Sequence, residues 1–124
     1  MFRNMCHAKI HRAAVTQTDL HYEGSITIDA NFLHKVDLLP YERVQVVNIS
    51  NGHRGETYII EGEAGSGIIG INGALAHHHN VGDRVIIIGY KLMAEDKCRS
   101  CEPSLVVLDE RNQIIEEKKG SGQV

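Results

Sequence analysis

The sequence is poor in aromatic residues and in proline. It contains no tryptophan, two phenylalanines, four tyrosines and two prolines among 124 residues, against twelve glycines. Valine and isoleucine recur in short runs that are separated by glycine-containing segments, a pattern typical of strands joined by tight turns. We therefore expect a mainly β protein, and residues 1–124 are enough for a single domain with one core.

The chain also lacks a block of like charge and a long apolar run. Its net charge is -3 with the histidines neutral, so it carries no basic patch typical of proteins that bind nucleic acid or anionic membranes. No run approaches the roughly 18 apolar residues of a membrane span, and Met1–His7 does not resemble the apolar part of a secretory signal. We expect a cytoplasmic protein without nucleic-acid or membrane partners.

Cysteine is scarce, and the three cysteines, Cys6, Cys98 and Cys101, do not form a disulfide framework. The Cys98-x-x-Cys101 spacing is that of half a zinc site, and Cys6 with the run His77-His78-His79 would supply further ligands. The simpler interpretation makes these histidines a polar turn, and our main prediction assigns no metal. A β-barrel binding module with a structural zinc ion stays open as the alternative.

Local signals place the secondary structure. Asp29 is a good N-cap for a short helix over residues 30–36, with Phe32, Leu33 and Val36 facing inward. Asn51-Gly52 predicts a hairpin. The other expected elements are strands at 9–16, 44–49, 54–60 and 85–90, a helical turn within 74–80, an irregular charged segment from 93 to 103, a closing hairpin around 110–112 and a disordered Gly-Ser-Gly end.

Two segments of the chain are similar to each other. Glu42-Arg43 followed by valines comes after a Leu39-Pro40-Tyr41 turn, and Asp83-Arg84 followed by Val85 and isoleucines comes after Val81-Gly82. The repetition favours a pseudo-symmetric barrel, although a turn followed by charged residues and then valine or isoleucine is a common sequence pattern at the start of any strand.

The pair Gly24-Ser25 lies between a tyrosine-bearing loop and the alternating run Ile26–Asp29. Glycine permits backbone conformations that are closed to other residues, and the Ser25 hydroxyl is placed to attack the carbonyl carbon just before it. Both properties suit self-cleavage of the backbone. Taken alone, however, a Gly-Ser pair marks an ordinary turn, and a binding module whose turn never cleaves is a further alternative.

Four motifs together carry a resemblance to a known family. They are Lys9-Ile10-His11-Arg12-Ala13, Tyr22-x-Gly24-Ser25-Ile26-Thr27-Ile28-Asp29, Asn51-Gly52-x-Arg54-x-x-Thr57-Tyr58 and Asn72-Gly73-Ala74. In this order and spacing, over about residues 5–91, the chain resembles the pyruvoyl-dependent bacterial L-aspartate 1-decarboxylases. The resemblance implies a double-psi β-barrel with short helices, assembled as a homotetramer with the site between subunits. It also implies production of β-alanine for pantothenate and coenzyme A.

The same resemblance implies that the chain cuts itself between Gly24 and Ser25, giving chains 1–24 and 25–124. Ser25 becomes a pyruvoyl group, which forms a Schiff base with L-aspartate and accepts the electrons released with carbon dioxide. Whether a maturation factor assists the cleavage is left open.

Roles for the other residues also follow from the resemblance. Tyr58 is the proton donor. Arg54 offers a bidentate fork to one substrate carboxylate, and Lys9 supplies a second cation. Thr57 holds the Gly24 carbonyl during processing and also contacts substrate. The segment Asn72-Gly73-Ala74-Leu75 contacts substrate as well. His11 and Tyr22 flank the site.

The chain departs from the family pattern at several positions. Val47 replaces a bulkier aromatic residue, Leu75 replaces a small residue, and His77 stands where arginine is frequent. The tail from about residue 92 lies outside the matched region, and we treat 92–124 as a variable C-terminal extension.

Overall fold

The protein is built almost entirely from strands. The computed structural model describes residues 1–119, so the glycine-rich end at 120–124 lies outside the described residues. The strands are β1 (Phe2–Ala14), β2 (Gln17–Asp19), β3 (Ser25–Asp29), β4 (Arg43–Asn48), β5 (Arg54–Gly62), β6 (Ile69–Asn72), β7 (Arg84–Ala94), β8 (Ser104–Leu108) and β9 (Ile114–Lys118). The helices are α1 (Ala30–Val36), α2 (Glu95–Cys98) and a 3-10 helix (Gly73–His78).

The strands form one mixed sheet in the order β2-β6-β3-β5-β4-β7-β1-β8-β9. Strand β3 pairs parallel with β5 and antiparallel with β6. Strand β1 repeats this arrangement, since it pairs parallel with β8 and antiparallel with β7. The mainly β prediction is confirmed, and the mixed pairing agrees with a double-psi β-barrel carrying short helices.

The two similar segments identified in the sequence are neighbours in the sheet. They form β4 and β7, which pair antiparallel with Val46 opposite Ile87. An antiparallel pair relates its strands by a local two-fold axis. The repetition therefore coincides with a symmetric feature of the barrel.

The core lies between the strands and consists of branched aliphatic residues. Its largest fully buried side chains include Ile10 of β1, Ile26 and Ile28 of β3, Ile59 of β5 and Ile87 of β7. Burial alternates along β1 and β4, as expected for strands with one face on the core. The strands that carry the candidate site are thus anchored by their opposite faces.

Helix α1 forms where the sequence predicts it. The Asp29 carboxylate accepts from the Asn31 backbone N–H at 2.8 Å, which satisfies one free donor of the first turn. Phe32, Leu33 and Val36 are buried, as expected. The helix follows directly from β3, so it fixes the far end of the strand that begins at Ser25.

The hairpin at Asn51-Gly52 is also confirmed, with Gly52 at φ 78° between β4 and β5. The segment from 93 to 103, expected to be irregular, is more ordered than predicted. Strand β7 continues to Ala94 because β1 extends back to Phe2 and pairs with it, and α2 follows. The closing hairpin forms from β8 and β9.

Asn112, in that closing turn, ties the C-terminal hairpin to the rest of the barrel. Its buried side chain accepts from the Ala14 N–H at 2.7 Å and donates to the Ala14 and Gly67 carbonyls at 2.9 and 2.8 Å. Buried amides need such partners. The contacts fix the end of β1, close to the bend that leads into β2.

Among residues 1–119, no helix is long and apolar enough to cross a membrane.

Candidate active site

Ser25 is the first residue of β3 and is fully buried. Its Oγ donates to the Glu23 carbonyl oxygen at 2.9 Å and accepts from Asn72 Nδ2 at 3.0 Å. The same Asn72 amide donates to Thr27 Oγ1 at 3.1 Å. These contacts follow from the pairing of β3 with β6, in which Ser25 lies opposite Asn72. The hydroxyl is therefore held in one position beside the Gly24 carbonyl carbon.

Gly73, rather than Gly24, is the glycine that this geometry requires. Gly24 is not in the left-handed region, and a Cβ on it would meet nothing within 4 Å. Gly73 has φ 77°, and a Cβ there would lie 2.6 Å from Gly24 Cα and 3.2 Å from the Tyr22 carbonyl oxygen. The absence of a side chain at Gly73 lets two backbone segments meet at the predicted cleavage point.

Tyr58 lies on β5, the strand that pairs with β3, at the same level as Ser25. Strands β3 and β5 are parallel with Ile26 opposite Ile59, so Ser25 and Tyr58 each precede the paired isoleucines by one residue. The Tyr58 ring is half-buried and stacks on Tyr41, with ring centroids 6.1 Å apart and planes at 23°. The stacking restrains the Tyr58 ring, and the role of Tyr58 as proton donor stays a prediction.

Arg54 and Thr57 lie on the same strand as Tyr58. Arg54 is exposed at the start of β5, opposite Val47 of β4, and Thr57 is half-buried opposite Val44. Neither side chain has a hydrogen bond or ion pair within residues 1–119. The predicted contact of Thr57 with the Gly24 carbonyl is therefore not made here and stays a prediction.

The Leu75 side chain packs on β5 at Gly55, between Arg54 and Thr57. A Cβ on Gly55 would lie 2.5 Å from Leu75 Cδ1, so the leucine side chain occupies the space that a residue larger than glycine would need. Ala74 is exposed and Leu75 is half-buried in the 3-10 helix. The close backbone approach in this segment is thus at Gly73, and Leu75 forms a wall against β5.

Lys9 and His11 lie on β1 as predicted, on the face opposite the buried Ala8 and Ile10. Burial lowers the pKa of His11, and the nearby cations Lys9, Arg12 and Arg84 lower it further. Its Nδ1 is buried and has no partner in the described part of the chain. Within that part, the Lys9 ammonium also has no hydrogen bond or ion pair.

The sheet does not bring all predicted site residues together within one chain. Strands β5, β4 and β7 separate β3, with Ser25, from β1, with Lys9 and His11. Tyr22 is 53% exposed in the turn before Gly24, where only its carbonyl oxygen approaches Gly73. Ser25, Asn72, Gly73 and Tyr58 form one cluster, and Lys9 and His11 lie apart from it.

The alternative zinc site finds no support. The described residues contain no group of three or more histidine, cysteine or acidic side chains that could hold a metal ion. All three cysteines are free thiols; Cys98 Sγ donates to the Ala94 carbonyl at 3.5 Å, and Cys101 Sγ donates to the Cys6 carbonyl at 3.7 Å. The histidines lie elsewhere: His77 and His78 are on the 3-10 helix and His79 is its C-cap residue.

The contribution of His53 could not be identified from local motifs. The run His77-His78-His79, interpreted as a polar turn, lies at the end of the 3-10 helix with His77 and His78 exposed. His79 is only 4% exposed, and the His53 ring stacks on His78. Gly55 and Tyr41 were also not identified, since their partners Leu75 and Tyr58 are distant in sequence. The one available signal was the concentration of histidine close to two site motifs.

Comparisons with known proteins identify the family of the chain. The family model described as aspartate decarboxylase matches residues 1–115. This match extends past the region of about residues 5–91 over which the sequence motifs carry the resemblance. The chain is 56% identical to proteins named aspartate 1-decarboxylase from Listeria monocytogenes, Listeria innocua and Listeria welshimeri, over 92% of this chain and 90% of each relative. The chain belongs to the aspartate decarboxylase family.

Proposed function

We propose that this protein is a carboxy-lyase that cleaves itself at Gly24-Ser25 and then uses a pyruvoyl group to convert L-aspartate to β-alanine and carbon dioxide. Family membership supports the reaction. The observation that carries the mechanism is the buried Ser25 hydroxyl, held by Asn72 beside a backbone contact that only glycine at position 73 permits. Such a site positions one peptide bond and one nucleophile together.

Processing begins when Ser25 Oγ attacks the Gly24 carbonyl carbon. The bond between that carbon and the Ser25 nitrogen breaks, the hydroxyl proton passes to the Ser25 nitrogen, and an ester replaces the amide. Removal of the Ser25 α-proton then breaks the Cβ–O bond and releases the Gly24 carboxylate. Water converts the remaining unsaturated residue to a ketone, with loss of ammonia. Asn72 Nδ2, at 3.0 Å from Oγ, orients the attacking oxygen.

The residues around Ser25 fit the ketone that this sequence of steps leaves. The space next to Gly24 would be filled by a Cβ at Gly73, so glycine there leaves room for the new group. Because the Ser25 oxygen departs with the Gly24 carboxylate, the Asn72 amide that holds this oxygen before cleavage would lie beside the new group as a hydrogen-bond donor. When present, the pyruvoyl group supplies a carbonyl that condenses with the substrate amine and accepts electrons as carbon dioxide leaves.

Substrate recognition is assigned to Arg54 and Lys9, whose side chains have no hydrogen bond or ion pair within residues 1–119. L-Aspartate carries two carboxylates, and Arg54 offers a planar fork for one while Lys9 offers a point charge for the other. Thr57, Ala74 and Leu75 border the same end of β5. Tyr58, which lies on the neighbouring strand at the level of Ser25, returns a proton to the substrate carbon after decarboxylation.

Mass spectrometry of the denatured protein combined with an assay on L-aspartate tests the proposal. We expect two chains that divide after residue 24, the larger without an ordinary N-terminus, and release of carbon dioxide with β-alanine. A single species of 13.8 kDa after prolonged incubation, together with no carbon dioxide, would refute the proposal.

Gly73→Ala is expected to slow cleavage by at least about tenfold, because its Cβ would displace the Gly24 backbone from the attack geometry. It should also destabilise the fold by about 1–3 kcal/mol, since alanine is strained at positive φ. Cleavage half-times by mass spectrometry and thermal unfolding separate the two effects.

Gly82→Ala is the matched control. Gly82 also has positive φ, at 95°, but a Cβ there meets nothing within 4 Å. This variant should lose stability and cleave at the wild-type rate. Equal cleavage rates in the two variants would show that the contact between Gly73 and Gly24 does not matter for processing.

We further propose a homotetramer whose site combines residues from two chains. Support comes from the three strands between Lys9 and Ser25 in one chain and from the exposed apolar side chains Leu39 and Tyr41, which are 63% and 80% exposed. Dissociation by dilution should therefore abolish activity, with assembly followed by analytical ultracentrifugation. An isolated monomer with full activity would contradict this assignment.

The product would serve pantothenate and coenzyme A synthesis in the cytoplasm, where free thiols such as Cys6 persist. We include a maturation factor that assists the cleavage among the proposed partners. The Ser25 hydroxyl donates to a neutral carbonyl rather than to a carboxylate or an imidazole, so the contacts in this state offer it no strong base.

A further inference from the structure

Two histidine rings stack between the start of β5 and the 3-10 helix. The ring centroids of His53 and His78 are 3.7 Å apart and the planes are nearly parallel, at 9°. His53 directly precedes Arg54, and the helix that carries His78 begins at Gly73 beside the cleavage point. The stack therefore joins the two segments that hold the proposed substrate-binding residues.

Further contacts link the same two segments. The His78 carbonyl oxygen accepts from Asn48 Nδ2 at 3.1 Å and from Asn51 Nδ2 at 2.9 Å, so the β4–β5 hairpin is bonded to the helix at one point. The Leu75 side chain lies on Gly55, and the His53 ring is also close to that glycine. Together these contacts fix the position of β5 relative to the helix at the level of Arg54.

His79 supports the arrangement from the interior. It is 4% exposed, and its Nδ1 donates to the Leu75 carbonyl oxygen at 2.9 Å, which leaves Nε2 as the unprotonated nitrogen. That nitrogen is buried without a partner in the described part of the chain, as is His53 Nδ1. The two rings meet edge to face, with centroids 6.2 Å apart. This geometry suits neutral rings and has no acceptor for an added proton.

The charges near the rings oppose protonation of His53. Desolvation lowers the pKa of His53, and His78 and His79 lower it further. On the other side, Asp83 faces His79, although its carboxylate is already engaged by Asn48 and by the Asn80 backbone N–H. Arg54 follows His53 on the strand, and His77 on the helix is exposed.

We propose that His53, His78 and His79, which we call the histidine latch, are positioning residues that hold Arg54 and Leu75 in the substrate-binding arrangement only while their rings are neutral. The inference rests on the proposed function and adds to it a pH-dependent affinity for L-aspartate. Protonation of His53 and His78 would place two like-charged rings in contact, so the start of β5 would separate from the helix.

The Michaelis constant is the quantity that should respond. Cleavage at Ser25 depends on β3, β6 and Gly73, and proton transfer depends on Tyr58 in the middle of β5. The latch rings instead lie at the start of β5 and at the opposite end of the 3-10 helix from Gly73. A protonated His53 would also add positive charge beside Arg54, and this effect alone would strengthen carboxylate binding. The direction of the change in KM on acidification therefore separates positioning from simple electrostatics.

The experiment compares KM and kcat for L-aspartate at about pH 7.5 and about pH 5.5, on either side of the ordinary histidine pKa. His53→Phe keeps an aromatic ring for stacking but cannot be protonated. His53→Ala removes the ring, and His77→Ala is the control, because it deletes an exposed histidine of the same helix. His11 is unchanged in all variants, so its own titration cancels in the comparison.

We expect KM of the wild type to rise about fivefold or more at the lower pH, and KM of His53→Phe to match the wild type at the higher pH and stay nearly constant. His53→Ala should show a raised KM at both values, while His77→Ala follows the wild type. A wild-type KM that is constant or falls on acidification, or a His53→Phe variant that keeps the wild-type pH dependence, would overturn the proposal.

Amide hydrogen exchange supplies a readout that does not need activity. After correction for the intrinsic effect of pH, the amides of residues 53–57 should lose protection at the lower pH in the wild type and keep it in His53→Phe. Equal protection in both proteins would refute the latch. A wild type that shows the exchange pattern but releases no carbon dioxide would instead refute the proposed function and leave the latch intact.

Discussion

Replacing Ser25 with alanine is expected to give a single uncleaved chain of 13.8 kDa that releases no carbon dioxide from L-aspartate. The substitution removes the only atom that could both attack the Gly24 carbonyl and leave a ketone behind. The fold should survive, since the Asn72 amide keeps its bond to Thr27 Oγ1 and the alanine side chain fits within the space of serine. Intact mass, a carbon dioxide assay and thermal unfolding test the three parts.

Ser100→Ala is the appropriate comparison, because Ser100 is exposed and its hydroxyl only donates to the Lys97 carbonyl at 3.2 Å. This variant should cleave and decarboxylate as the wild type does. If Ser25→Ala were cleaved at residue 24, or released carbon dioxide without cleavage, the assignment of Ser25 as the precursor of the catalytic group would be wrong.

Arg54→Leu is expected to raise KM for L-aspartate by about 30-fold or more, the loss that corresponds to about 2 kcal/mol when one partner of a charged pair is removed. Self-cleavage should be unchanged, because Arg54 makes no contact with Ser25, Asn72 or Gly73 within the described residues. Since Arg54 is exposed, the fold should also be unaffected. Steady-state kinetics on fully cleaved protein measure the effect.

Arg54→Lys keeps the charge but loses the planar fork, so its KM should lie between those of the wild type and the leucine variant. Arg111→Leu, an exposed arginine in the turn between β8 and β9, serves as the control for a change of net charge. A similar rise in KM for Arg111→Leu would indicate a general electrostatic effect. An unchanged KM for Arg54→Leu would remove Arg54 from the substrate site.

Much of the local structure could be predicted because its signals are contained in short segments. The helix Ala30–Val36 has its cap and its apolar face within eight residues, and the Asn51-Gly52 turn specifies its own hairpin. The extension of β7 to Ala94 could not be predicted in this way, since it depends on pairing with Phe2 at the opposite end of the chain.

The candidate site likewise combines residues that short motifs identify with contacts that depend on distant parts of the chain. Ser25 and Tyr58 were identified from motifs, and the register of β3 and β5 brings them close together. The glycine that matters for the backbone approach is Gly73 rather than Gly24, and this depends on which strands are neighbours. The histidine stack likewise joins residues 25 positions apart through packing, which no local pattern specifies.

The position of β1 in the sheet has a consequence for the mature protein. Residues 1–24 contribute β1, which pairs on both sides with β7 and β8, and β2, which pairs with β6. Cleavage at residue 24 would therefore leave two chains without a covalent link. They would be held together by strand pairing, by buried residues such as Ala8 and Ile10, and by hydrogen bonds such as those between Asn112 and Ala14. Folding, unimolecular before cleavage, becomes bimolecular afterwards, so recovery of the unfolded mature protein should depend on its concentration.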